Sequence, residues 1–88
     1  MQPIEDPERA ARLARAILSD VMTYNPEKVR LGIEHDDLFE RLASEIREAR
    51  AYFAERVDPD VVAKTRAFDR ALVDVLVYRS RHVRSKIW

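Results

Sequence analysis

The sequence predicts an all-α protein, a small antiparallel bundle of three long helices and a short connecting one. Three observations carry that expectation. The chain of 88 residues contains one glycine. Apolar residues recur at three- and four-residue spacing along most of its length. Asp6-Pro7, Asn25-Pro26 and Asp58-Pro59 each place a capping side chain before a proline suited to the first helical position. Residues 1–88 are expected to form a single helical domain, with 79–88 as a basic C-terminal end.

The first helix should run from Pro7 to Tyr24. Ala10, Ala14, Ile17, Val21 and Tyr24 form its stripe, and Ala11, Leu13, Leu18 and Met22 widen it to about half the circumference, beyond the ~100° of an ordinary surface helix. Such a helix needs two neighbours. A short second helix, Pro26 to about Glu34, should serve as a connector. A third, about Leu38 to Val57, starts at Asp37 with Glu40 three residues on, a capping box. Its expected core face is Leu38, Phe39, Leu42, Ala43, Ile46, Ala49, Phe53 and Val57. Its outer face includes Glu45, Glu48 and Tyr52, with Tyr52 a candidate contact between Glu48 and Arg56. At 1.5 Å per residue the first and third helices should each be about 27 to 30 Å long, matched for lying side by side.

The last helix should begin at Pro59 and reach about Arg84, with Val61, Phe68, Ala71, Leu72 and Val75 as its core stripe. Within it, "ALVDVLVY" is apolar on every side except at Asp74. Its valine alternation also suits a strand, but no second strand candidate exists to pair with it. The surplus apolar face calls for cover, so Val62, Val73, Leu76, Val77 and Tyr78 are expected to form a homodimer interface. Asp74 in such a surface needs a donor, and Arg70 or Arg81 could reach it along the same helix, or an arginine of a partner subunit could serve equally well.

Charge narrows the functional classes. Charged residues make up 36% of the chain, sixteen of each sign, so no global field draws in nucleic acid. The halves differ: through Glu40 there are five basic residues against nine acids, a net −4, and the rest carries eleven against seven, a net +4. That polarity favours packing of one half on the other, within a chain or between two. Arg79, Arg81, Arg84 and Lys86, with His82, meet no acid after Asp74. They suit the negative end of a helix dipole, an acidic protein patch or nucleic acid, with Tyr78 and Trp88 available for stacking. Nucleic-acid binding through Arg79 to Lys86 is thus the alternative to a protein-contact function.

"NPEKVRLGIEHDDLFE" imitates a DNA-reading helix-turn-helix around Gly32. Its reading helix would open with Asp36, Asp37 and Glu40, which repel phosphate, and Lys28 would fall where a small residue is needed. The stretch is expected to be an elbow between helices, with Gly32 ending one helix or passing close to a neighbour and Asp36-Asp37 capping the next.

Neither catalysis nor a cofactor is expected. Cysteine is missing, which excludes disulfides and thiolate metal sites and fits a reducing, intracellular compartment. His35 and His82 have no partners at metal spacing, and Glu-x-x-His pairs of di-iron bundles are lacking. The serines fall on outer faces with no histidine nearby, and the arginines lie outside the apolar stripes rather than inside a bundle. The first twenty residues lack a basic start and an apolar run, and no stretch approaches eighteen apolar residues, so the expected location is cytoplasmic.

"LARAILSDVMTYNPEKVRLGI" followed by "DLFERLASEIREARAYFAERV" resembles a helical domain of uncharacterised bacterial proteins, often attached behind other modules. The likeness spans about Arg9 to Val57 and includes a Ser-Asp pair ahead of an apolar-Tyr-Asn step, here Ser19, Asp20, Tyr24 and Asn25. It implies a bacterial, helical, cytoplasmic protein and brings no activity with it. The ending "VRSKIW" has no counterpart in that pattern.

Overall fold

The computed structural model describes the backbone of residues 3–87 and the side chains of residues 3–77. Among the described residues six helices follow one another: α1 Pro7–Tyr24, α2 Pro26–His35, α3 Leu38–Arg41, α4 Ala43–Arg56, α5 Pro59–Thr65 and α6 Ala67–Ile87. The valine-rich stretch is helix, so the strand alternative does not arise.

Two of the three Asx-Pro starts work as side-chain caps. Asp6 accepts from the Glu8 amide at 3.0 Å and Asp58 from the Asp60 amide at 2.8 Å, each satisfying an amide that the first turn leaves orphaned. Asn25 behaves differently. Its Nδ2 donates to the Val21 carbonyl at 2.7 Å, so the side chain closes the end of α1 and gives α2 no side-chain cap. An amide can donate where a carboxylate cannot, and the exposed carbonyls at a helix end need a donor.

Both later helices bend where none was expected. The stretch from Leu38 to Val57 divides at Leu42, whose φ of −98° and ψ of 10° leave the helical region while its amide still bonds the Leu38 carbonyl at 3.1 Å. Leu38 and Leu42 are both buried, whereas Phe39 and Ala43 are exposed, contrary to the expected stripe. The stretch from Pro59 divides at Arg66, which takes the left-handed conformation at φ 52°. An arginine there costs about 1 to 2 kcal/mol. Thr65 secures the corner: its hydroxyl donates to the Val61 carbonyl at 2.7 Å and accepts from the Ala67 amide at 3.3 Å.

Helix α1 is central, packed against α6 and α4 and touching α2 and α5. Helix α4 runs back along it. At one end Ile4 pairs with Val57 across two backbone hydrogen bonds, Ile4 N–H to Arg56 O at 2.9 Å and Asp58 N–H to Ile4 O at 2.8 Å. At the other, Lys28 beyond the end of α1 reaches Glu45 in the first turn of α4. Helix α6 returns beside α4, with the Phe53 and Phe68 rings 5.5 Å apart and Arg50 bonded to Asp69 at 2.8 Å. It therefore points the same way as α1, and Arg15 meets Asp74.

The core is apolar throughout, with no buried polar or charged residue among the described ones. Ala10, Ala14, Ala49, Ala67 and Ala71 bring the three long helices close around Leu18, Phe53, Val57 and Phe68. A second cluster, Met22, Leu38, Leu42 and Leu76, seals the elbow end. Tyr24, expected in the stripe, is instead 78% exposed, while the buried line of α1 runs Ala10, Ala14, Leu18 and Met22.

Gly32 shows why the elbow needs a residue without a side chain. A Cβ at this position would stand 2.7 Å from the Leu38 Cα and 2.8 Å from its Cδ1. The left-handed turn itself falls on Asp36, at φ 57°, and the Asp37 amide bonds back to the Gly32 carbonyl at 2.9 Å. Alanine is favoured over glycine in a helix by about 1 kcal/mol. Gly32→Ala should nevertheless destabilise the protein by about 1 to 3 kcal/mol, because the clash is with backbone. Urea denaturation followed by circular dichroism checks the sign.

Candidate interaction surfaces

The expected interface on α6 divides once the helix is packed. Val73 and Val77 point outward, 52% and 42% exposed, between Asp69 and Asp74. Leu76, one position off that line, turns into the second core cluster and is only 1% exposed, so it belongs to the chain's own interior rather than to an outer face. Val62 is half-buried against the first cluster. The Tyr78 side chain lies outside the described residues, as do those of Arg79, Arg81, Arg84 and Lys86; the backbone there is helical to Ile87.

Asp74 finds its donor across a helix boundary. Arg15 of α1 bonds it at 3.0 Å, whereas the expectation was Arg70 or Arg81 on α6 itself, or an arginine of a partner subunit. The shared direction of α1 and α6 produces this contact, and sequence spacing alone could not show it. Both side chains are more than half exposed, which limits the pair to about 1 kcal/mol or less.

The elbow's basic groups are spent on neighbouring acids. Arg41 pairs with Asp37 at 2.6 Å, so Asp37 sits at the N-cap position of α3 without a side-chain cap bond. Arg30 bonds Glu27 at 2.8 Å and Glu34 at 3.0 Å. The Arg30 guanidinium holds the Glu27 carboxyl below the usual carboxylate range, and Glu27 in turn raises Arg30. With α3 only four residues long, the stretch that opens at Asp36-Asp37 does not form the long reading helix of a helix-turn-helix. Among the described residues no three His, Asp or Glu side chains gather as metal ligands, and no helix is long and apolar enough to cross a membrane.

A surface that sequence reasoning missed lies between α1 and α4. It is a groove of about 450 Å³ with Leu13, Ile17, Val21 and Ala49 in its floor and Asp20, Glu45 and Glu48 along it. Tyr24 and Tyr52, 78% and 45% exposed, stand at its edges. The Arg56 guanidinium lies 3.5 Å over the Tyr52 ring, a cation–π stack. A signal for the groove was present: Asp20 and Tyr24 on one helix, Glu48 and Tyr52 on the other, are each an acid and a tyrosine four residues apart. Because α4 runs back along α1, these pairs face each other across the apolar floor. A second groove of about 590 Å³, between α1 and α6, carries mixed charge from Glu8, Arg15, Lys64, Arg70 and Asp74.

Glu45 links the groove to the elbow. Its Oε2 accepts from Lys28 Nζ, and that bond holds the carboxyl below its ordinary pKa. Its Oε1 is buried without a hydrogen-bond partner.

The chain matches no protein-family model, no curated protein and no solved structure.

Glu45 gives a pH signature. Its folded pKa lies below the unfolded value, so the Lys28 contact contributes stability above the ordinary carboxylate range and loses it as pH falls through the lowered pKa. Glu45→Gln should therefore destabilise the protein at about pH 7 and make no difference at about pH 2. Denaturation midpoints of both forms across that range check it. Asp74→Asn should change stability by less than about 1 kcal/mol at any pH, measured the same way.

Proposed function

We propose that this chain is a non-enzymatic helical module that acts through protein contact and assembles with copies of itself. The observation that carries the reading is the distribution of side chains. Every described titratable group lies outside the core, while large apolar and aromatic groups remain at the surface, singly at Phe39 and together on two faces. One face is Val73 and Val77 on α6, and the other is the tyrosine-flanked groove between α1 and α4. A chain this short buries only about 60 to 65% of its unfolded surface, so cover from a partner adds stability that its own core cannot supply. A two-fold pair of identical subunits is the commonest arrangement that provides it.

Light scattering of the purified chain should give a mass of at least twice its 10.3 kDa. Val77→Asp should shift that mass toward the monomer while preserving helical content, since Val77 is 42% exposed and its replacement leaves the core intact. Loss of one apolar anchor costs upward of about 1 to 2 kcal/mol, or roughly tenfold in dissociation constant. A parent that is monomeric at every concentration would overturn the proposal.

A further inference from the structure

We propose that the groove between α1 and α4 receives the basic helical end of α6 from a second copy of this chain. The inference deepens the self-assembly reading and rests on it, by naming the groove and its occupant.

The groove asks for cations. Asp20 and Glu48 are exposed along it and make no ion pair among the described residues, whereas Glu45 is already paired with Lys28. Its aromatic edge suits arginine in particular. Arg56 already stacks on Tyr52 at 3.5 Å, and Tyr24, 78% exposed, presents a second ring to an incoming guanidinium.

The chain also contains the complementary segment. After Asp74 the sequence carries Arg79, Arg81, Arg84 and Lys86 and no acid. Helix α6 continues to Ile87, so these residues belong to a preformed helix, which lowers the entropy lost on docking. Val83 and Ile87 stand four apart in the sequence, the spacing by which one helix face lays two apolar anchors on an apolar floor.

The occupant must come from another copy. Ala11 and Arg15 turn toward α6, whereas Leu13, Ala16 and Asp20 turn toward the groove, on the opposite side of α1. A continuous α6 cannot curl around α1 to reach it. Between copies, the carboxylates of Asp20 and Glu48 on one chain meet the basic end of α6 on the next, and the formal net charge of zero is preserved in the assembly. Groove and helix end are different surfaces. The contact therefore closes as a reciprocal pair, each copy donating its helix end to the other, or continues as an open chain.

Complementary charge reversal tests this. One variant carries Asp20→Lys and Glu48→Lys; the other carries Arg79→Glu, Arg81→Glu and Arg84→Glu. Sedimentation velocity at low salt, with circular dichroism to confirm folding, should show each variant alone associating at least about tenfold more weakly than the parent. Mixed in equal amounts, they should regain the parent's mass. The unmodified chain offers a reading that no folding defect can confound: raising salt from about 0.05 to 0.5 M should weaken its association several-fold. An oligomeric parent that ignores salt, or a charge-reversed variant that keeps the parent's mass, overturns the groove while leaving assembly through Val73 and Val77 standing. Failure of the folded variants to reassociate on mixing overturns it too. A monomeric parent removes both.

Discussion

Close approach of helices through small side chains is the constraint on which the molecule depends. Ala10 and Ala14 on α1 and Ala67 and Ala71 on α6 are four-residue pairs of methyl groups, all at or below 7% exposure, and they face helices that run in the same direction. Closeness extends the reach of the larger groups. Phe53 and Phe68 fill the space beside the alanine seam, and fully burying a side chain of that size contributes about 1.5 to 3 kcal/mol. With no buried polar residue in the core among the described residues, register inside the core rests on shape, and the polar contacts between helices lie at its margins. A larger residue at Ala10 or Ala14 would separate the helices rather than fill a void.

That constraint also sets which residues remain outside. A helix thinned on its inner side by alanine brings its neighbours close, and its remaining apolar residues fall at the margins of the contact. Leu13, Ile17 and Val21 are half-buried for this reason and form the floor of the α1–α4 groove. On α6 the same rotation that buries Ala71 and Leu76 leaves Val73 and Val77 in solvent. The surface apolar residues are thus a consequence of how the core packs.

Helix positions were legible wherever backbone chemistry announces itself. Pro7, Pro26 and Pro59 mark three starts, and α1 spans the range its spacing predicts. The bends at Leu42 and Arg66 carry neither glycine nor proline. They arise from tertiary demands, the burial of Leu42 and the turn of α5 into α6, which a local pattern does not contain. Composition pointed to the excess apolar surface on the last helix, but periodicity assigned Leu76 to the wrong side of it. Asp74's partner was illegible, and the acid–tyrosine pairs of the Tyr24–Tyr52 groove were visible only singly, for a common reason: both features join residues far apart in sequence, and their meeting depends on which helices run together.

The backbone pairing of Ile4 with the α4–α5 corner gives the chain an unusual dependence on its first residues. Two amides, those of Ile4 and Asp58, are held by bonds that exist only while the leading segment lies across the end of α4. Val57, buried beneath that segment, loses its cover whenever the strap lifts. Opening of the leading segment and release of a corner more than fifty residues later are therefore coupled, and the amides on both sides of the strap are freed by the same opening.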